Sequence, residues 1–466
     1  MGNPVRRPGE RAADARCTSG RPGSMGGMTT MLPRAERAAR ARTAADDLAA
    51  GGTDGVVLGW VDNAGVHRVK AVPVEQLAHA AEWGVGAAPC FDAFLVDDSM
   101  APSGSPVGDL RLVPDLAALT VLAAQPGWAW APADRYAQDG EPHPGCQRLF
   151  AGRMAAEAQR RGLEVLAGIE VEWVVVDGAG AGPAYGMRRL IGLSDYLRDV
   201  LRALRDQGLT VLQIHPEYTV GQFEVSLAPA GPVAAADLAV LVRHTVQAVS
   251  VRYGLEASFA PAVAADGVGN GGHLHLSLRR DGRNLGGGGP GRYGLTVEGE
   301  AFLAGVLAEL PALLALGAPS VASYLRLVPG RWSGPYRCWG RENREAALRL
   351  IPGSTPEQAN AEVKCFDAAA NPYLAVGGVL AAGFGGIDRG LRLPPEVSGD
   401  PADSGYAERL PADLAEAAAA FKGSDLLREA LGAELHAAVL AVREAEIGLF
   451  DGVGADEVIA ATRLRW

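Results

Sequence analysis

The sequence predicts an α+β fold in which a curved antiparallel sheet, flanked by helices, surrounds a polar site, with a smaller strand-rich unit ahead of it. Three observations predict it. Four segments each alternate an apolar face with a face of carboxylate, imidazole or cation: Gly168–Val176 (GIEVEWVVV), Gly221–Leu227 (GQFEVSL), Gly272–Leu278 (GHLHLSL) and Ala361–Cys365 (AEVKC). Residues two apart share one face of a strand. Glu170 therefore projects with Glu172, Gln222 with Glu224 and Ser226, His273 with His275 and Ser277, and Glu362 with Lys364. Helix-forming stretches at Ser194–Gln207, Val233–Tyr253 and Thr296–Leu316 separate these strands, which favours α+β over a doubly wound sheet. A hairpin and short strands near the N-terminus, closed off by a Pro/Gly-rich connector, mark the smaller unit.

The elements follow in order. Residues 1–31 are rich in Arg, Gly and Pro without an apolar core. They read as a disordered tail, or as an over-extended start, since Met25, Met28 and Met31 follow; they are not a signal peptide. Pro33–Ala50 forms a helix ending at Gly51-Gly52. Gly55–Val61 and Val66–Val72 form a hairpin across the turn Asp62-Asn63-Ala64-Gly65. Short strands follow at Asp109–Pro114 and Leu119–Leu122. The Arg135–Gly145 connector divides a first domain, 32–138, from a second, 139–466. Arg148–Arg161 is a helix leading into the Glu170 strand. Gly282–Gly294 is a flexible loop that lacks a phosphate-binding arrangement. Pro411–Arg465 is helical with a break near Gly423.

Composition narrows the class. A net charge of −11 argues against nucleic acid and favours a soluble oligomer. Five cysteines without CxxC spacing suit a reducing cytosol, which places the protein in the cytoplasm. No run approaches the length of a membrane span.

Two carboxylates on one buried face repel each other and lose hydration, so a divalent cation is the expected compensation. A half-exposed strand with a solvated acidic face would explain GIEVEWVVV alone; recurrence in three further segments favours a shared site. Tyr324–Arg349 carries Arg326, Arg331, Arg337, Arg341, Arg344 and Arg349 in an otherwise acidic chain. Arginine pairs bidentately with phosphate and stays charged when partly buried. A cationic wall facing metal-binding carboxylates suits a polyphosphate carried with Mg²⁺, hence ATP.

From about Thr53 to the C-terminus the chain resembles the glutamine synthetase family, through GIEVEW, HPEYTVGQFE, GNGGHLHLS, RLVPG, NREAALR and EVKCFDAAANPYLA in that order. The resemblance implies an N-terminal β-grasp domain followed by a funnel-shaped catalytic domain. It also implies ATP and L-glutamate as substrates, two or more Mg²⁺ or Mn²⁺ ions per subunit, and homo-oligomers of stacked rings resembling dodecamers. Residue by residue, it assigns one metal to Glu172, Glu217 and Glu224, and another to Glu170, His273 and Glu362. Arg344 and Arg349 match phosphate-binding arginines, and His275 and Ser277 match phosphate-side residues beside the second metal site. Arg326 matches the arginine at the acyl γ-carboxylate, and Gly269 the loop glycine at the amino acid. Asp62 matches an aspartate that binds and deprotonates the amine in a neighbouring subunit.

Departures from the family pattern matter as much. The ammonia-handling glutamate, six residues after Arg326, is Trp332. The arginine at the substrate α-carboxylate is Lys364, and the asparagine before Gly269 is Val268. Glu217 and Glu224 stand one residue closer than in ammonia-using enzymes, a spacing of the amine-using branch, and no tyrosine occupies the usual adenylylation region. The expected activity is an ATP-dependent γ-glutamyl–amine ligase, its amine a polyamine, monoamine or ethanolamine, with Trp332 either packing the amine or packing only its own loop. Ammonia-using glutamine synthesis is the alternative within the class. A metal-dependent hydrolase, from His273-x-His275, and a non-catalytic nucleotide-binding regulator are the alternatives outside it.

Overall fold

The computed structural model describes residues 32–105, 107–176 and 182–466. The expected tail lies outside the described residues. The first sheet contains β1 (Gly55–Val61), β2 (His67–Pro73), β3 (Val85–Ala87), β4 (Leu110–Pro114), β5 (Thr120–Val121) and β6 (Trp128–Tyr136). Its order is β2-β1-β6-β4-β3, with β5 on β6. The hairpin forms as expected. Its turn is closed by Val66 N–H donating to Asp62 Oδ1 at 2.9 Å. Gly65 there has φ +80°, and a Cβ on it would fall 1.8 Å from the Ala369 carbonyl oxygen. Only glycine serves this turn, because it packs directly on the second half of the chain.

The sequence left the centre of this sheet unread. β6 runs parallel to β1 and antiparallel to β4, and it contains Pro132, a residue that argues against a central strand. The strand continues through Arg135, where the connector was expected to begin. Helix Gln147–Arg160 follows. Its buried Arg148 pairs with Asp115 at 2.7 Å, Asp134 at 3.0 Å and Asp237 at 2.9 Å. Those partners join the first sheet to helix Pro232–Arg252.

A second correction concerns GIEVEWVVV, which is not one strand. It breaks at Glu170 into β7 (Glu164–Ile169) and β8 (Val171–Val176). β8 joins β9 (Val211–Pro216), β10 (Gln222–Leu227) and β11 (Glu256–Ser258) in an antiparallel sheet ordered β11-β8-β10-β9. β7 instead pairs with β12 (Leu274–Arg280). That third sheet also holds β13 (Arg283–Asn284), β14 (Tyr336–Arg341), β15 (Ala346–Ile351), β16 (Asn360–Val363) and β17 (Glu408–Arg409). The chain thus passes between two sheets at Glu170, and the polar face is shared by both.

Helices Val297–Gly317 and Pro372–Arg389 pack on each other and on the apolar side of the third sheet. The first is long and apolar enough to span a membrane, contrary to the sequence reading, but most of it is buried in this core. Thr296 caps it through Gly299 N–H, and Asn371 caps the second through the N–H groups of Tyr373 and Leu374. Asn371 Nδ2 also donates to the carbonyls of Val61 and Asp62 at 3.0 and 3.1 Å, fastening the hairpin to the helix. The C-terminal helices Leu414–Gly423, Asp425–Leu431, Ala433–Leu449 and Ala455–Thr462 form as expected, with the break after Gly423.

Candidate active site

Strand register gathers the polar residues into two rungs. Glu224 on β10 lies opposite Glu172 on β8 and opposite His215 on β9. Glu362 on β16 lies opposite His275 on β12 and Arg349 on β15. His273, just before β12, stands between the rungs. Its Nδ1 is 3.2 Å from Glu170 Oε2 and 3.3 Å from Glu362 Oε1, and its Nε2 is 3.7 Å from Glu172 Oε1.

Among the described residues, three groups bring their ligand atoms close enough to hold a metal ion: Glu170–His273–Glu362, Glu172–Glu224–His273 and His215–Glu217–Glu224. The first is the set that the resemblance assigned. The second and third share out the other assigned set of Glu172, Glu217 and Glu224, the second adding His273 and the third His215. Carboxylate and imidazole donors suit Mg²⁺ or Mn²⁺.

Excess negative charge shows in the ionisation of these groups. Burial pushes the Glu172 carboxyl up to about 7, against the pull of Arg326. Burial also raises Glu217, aided by Glu224 and opposed by the Tyr185 hydroxyl. For Glu170 the burial effect is outweighed by contacts from His273 and His275, and its carboxyl lies well below the usual range. Glu362 is buried as well, yet Lys364, His273 and His275 bring it down to about 2. Glu172 and Glu217, raised by burial, are the carboxylates whose charge a divalent cation would compensate, while Glu170 and Glu362 are already paired with histidines and Lys364.

The remaining expected residues surround this centre. Arg326, buried, donates from Nη2 to His273 Nε2 at 3.1 Å and to the Lys364 carbonyl at 3.2 Å. Its Nη1 has no partner among the described residues, which leaves a donor for an anionic substrate. Lys364 Nζ donates to Glu362 Oε1 at 3.0 Å, and Arg349 Nη1 to Glu362 Oε2 at 3.1 Å. Arg344 is exposed in the turn between β14 and β15. A cavity of about 540 Å³ opens beside Glu170, lined by His275, Ser277, Gln213, Asn360 and Leu227. His275 Nδ1 lies 2.9 Å from Asn360 Oδ1.

Gly269 packs where a Cβ would meet the Pro261 carbonyl oxygen at 1.8 Å, and its own carbonyl accepts from Gln222 Nε2 at 3.0 Å. Gln222 also donates to Glu172 Oε2 at 2.8 Å, joined there by Gly271 N–H at 2.9 Å. Trp332 is 44% exposed, with its ring 4.9 Å from that of Tyr218. Its φ of +52° is a left-handed strain for a bulky residue.

Asp62 lies in the hairpin turn between β1 and β2. The residue is 0% exposed, and its Oδ2 takes Arg68 Nε at 2.7 Å. Its Oδ1 accepts the Val66 N–H of the turn, and its Oδ2 pairs with Arg68 on β2. Two contributors escaped the sequence reading. His215 left a signal, since it precedes Glu217 by two residues on β9. Tyr185, whose hydroxyl donates to Glu217 at 2.7 and 2.8 Å, left none, because it lies in a loop.

Comparison with known proteins follows the geometry. The profile of the glutamine synthetase catalytic domain matches residues 144–456. A γ-glutamylpolyamine synthetase of Streptomyces coelicolor is 54% identical over 450 residues, covering 92% of this chain and 97% of that protein. A glutamate–methylamine ligase of Methyloversatilis universalis is 30% identical over 80% of this chain and 88% of its own length. The crystal structure of a glutamine synthase homolog superposes with a TM-score of 0.83 at 33% identity, over 89% of this chain and 99% of the other.

Proposed function

The chain belongs to the glutamine synthetase family, and from that premise we propose that it joins the γ-carboxylate of L-glutamate to an organic amine, with ATP as the phosphoryl donor. The observation that carries this reading is the convergence of Glu170, Glu172, Glu224 and Glu362 on His273. Similarity to a polyamine-using and a methylamine-using ligase supports the amine over ammonia.

Glu170, His273 and Glu362 would hold one Mg²⁺ or Mn²⁺, and Glu172, Glu217 and Glu224, with His215 beside them, a second; such ions neutralise charge on a transferring phosphoryl group. The 540 Å³ cavity next to Glu170 takes the nucleotide, with His275 and Ser277 on its phosphate side. Arg349, fixed by Glu362, and the exposed Arg344 bind phosphate oxygens. Arg326 presents its free Nη1 to the glutamate γ-carboxylate, while Lys364 and Gly269 hold the amino-acid end. An oxygen of that carboxylate attacks the γ-phosphorus and ADP leaves, giving γ-glutamyl phosphate. The amine nitrogen, as the neutral base, then attacks the acyl carbon, the C–O bond to phosphate breaks, and the proton the nitrogen sheds leaves on the departing phosphate as hydrogen phosphate. Positioning supplies much of the rate.

By the same resemblance the protein is a cytoplasmic homo-oligomer of stacked rings, divided near residue 139 into an N-terminal and a catalytic domain. Phosphate release measured with ATP, Mg²⁺ and L-glutamate across a panel of amines tests the reading. Release that depends on an organic amine is expected. Release with ammonium alone would make the protein a glutamine synthetase, and release without glutamate would make it a hydrolase.

A further inference from the structure

A second cavity lies away from the metal-binding groups, where β1, β2 and β6 of the first sheet meet helix Pro232–Arg252. Its volume is about 450 Å³, and it shares no lining residue with the cavity beside Glu170. That size falls within the range of about 300–1,000 Å³ that small-molecule sites occupy. Val57, Leu122 and Trp130 give it apolar lining, and Arg243, His67 and His244 add basic groups. No aspartate or glutamate lines it among the described residues.

Arg243 is the charge that this cavity leaves unbalanced. The residue is 6% exposed. Its Nη1 donates to the Ala368 carbonyl at 2.8 Å, and its Nη2 has no partner among the described residues. Burial lowers the guanidinium to about 10, with only the neutral Tyr373 hydroxyl set against that pull. An arginine so placed is still charged at neutral pH. A buried charge without a counterion is costly, and an anion brought near relieves the cost. Nη2 is closed to solvent, but Coulombic attraction acts over several ångströms and needs no contact with it.

The two imidazoles feel the same field. Their rings lie 4.0 Å apart and are half-buried. Burial, His244 and Arg243 hold His67 well below the usual range, and burial with Arg243 pulls His244 down to about 3. Both are therefore neutral, each with one ring N–H to donate. No carboxylate acts on either. Arg465, also on the cavity, is already paired with Asp98 at 3.2 Å. A cation is disfavoured here, because Arg243 repels it. Neither histidine belongs to a group that could hold a metal ion among the described residues.

We propose that this cavity binds a small organic anion, a carboxylate with an apolar or aromatic body and no ammonium group. The charge of Arg243 draws the carboxylate in, His67 and His244 donate to it, and the body packs against Trp130, Val57 and Leu122. Such a ligand bridges the first sheet and helix Pro232–Arg252, so it stabilises the folded protein. No residue of the cavity belongs to the metal-binding groups, so the site stands apart from the ligase reading.

Benzoate is the probe. Benzamide is its uncharged counterpart, and acetate supplies the charge without the body. Calorimetric titration of the full chain is run with saturating ADP, Mg²⁺ and L-glutamate, which keeps the probes out of the catalytic centre. Benzoate is expected to bind with a Kd of about 1 mM or tighter, at least tenfold better than benzamide or acetate. It is also expected to raise the unfolding temperature in proportion to its occupancy. Arg243→Met should weaken benzoate by tenfold or more and leave benzamide unchanged. Ala248→Trp, which fills the cavity from the helix side, should abolish binding of both and stands in if the first variant does not fold. Thermal unfolding checks both variants. No benzoate binding, equal binding of benzamide, or binding that survives Ala248→Trp overturns the proposal. Tight Zn²⁺ binding lost in His67→Ala would make the cavity a metal site and overturn it as well. Phosphate release with amines tests the ligase reading separately, and neither result decides the other.

Discussion

Glu172 and Glu224 stand directly opposite each other across the β8–β10 pair, both buried. Like charges at opposed positions destabilise a sheet by about 0.2–1 kcal/mol, and burial adds to this. The arrangement persists because something positive belongs between them.

Glu224→Gln should therefore raise the unfolding temperature of metal-free protein while lowering phosphate release by about 100-fold or more at saturating Mg²⁺. Differential scanning fluorimetry in EDTA and in Mg²⁺ gives the first quantity, and a steady-state assay the second. Glu172→Ala and Glu362→Ala should likewise lose turnover and remain folded, since they serve different metal groups. Near wild-type turnover in either would sink the two-site assignment.

Tyr185 ties down Glu217 from a left-handed backbone position, φ +56°. Removing its hydroxyl frees a ligand carboxylate from its orienting partner. Tyr185→Phe should weaken Mn²⁺ binding by about 10- to 100-fold, as loss of an outer-shell contact does. Calorimetric titration with Mn²⁺ measures it, and unchanged affinity would make Tyr185 a bystander.

Trp332→Glu should shift preference from organic amine towards ammonium. It restores a carboxylate at the mouth and removes an apolar face whose burial contributes ~25 cal/mol per Å². The ratio of kcat/KM values for amine and ammonium is the readout. A wild type that makes glutamine as readily as any amide would leave Trp332 a packing residue.

Asp62→Ala should act on stability. The change removes the buried partner of Arg68, leaving it only Asp98 at 2.6 Å, and opens the hairpin turn, at a cost of about 1–3 kcal/mol. Turnover at low temperature should remain within about threefold of wild type, a difference of well under 1.4 kcal/mol in barrier. A folded variant without activity would return Asp62 to the chemistry.

Glu446 supplies a pH dependence. Burial pushes its carboxyl up to about 7, opposed by Arg443 and by the Val96 N–H that it accepts at 3.0 Å. Between the ordinary glutamate value and about 7 the folded protein holds a proton that the unfolded chain has released. Stability from this group is therefore present at low pH and falls as pH rises through that window. Glu446→Gln should flatten the decline, by up to roughly 3 kcal/mol. Urea unfolding at pH 5 and pH 8 measures it.

Much of the candidate site was legible because strand alternation is local. Glu170 with Glu172, His273 with His275 and Ser277, and Glu362 with Lys364 could be grouped from spacing alone. Their long-range motif order carried the family. The resemblance, not the spacing, named the six metal-ligand candidates, while alternation marked the apolar strand faces on which helices Val297–Gly317 and Pro372–Arg389 pack.

Other relationships were set by the tertiary structure. Spacing on one strand does not fix register, so the rung of Glu172, Glu224 and His215 required the paired strands. The break at Glu170 is a choice between two partners, β12 and β10, and has no local signature. Tyr185 acts from a loop, where no period marks a side chain's direction. Asp62 was read from a motif position, but its direction was decided by Arg68 and by the close seat of Gly65 on Ala369. A sequence determines which groups share a face, because that follows from backbone geometry over two or three residues. Which groups meet across the site is decided by packing, since those contacts join residues tens to hundreds of positions apart and form only when the apolar faces behind them are buried together.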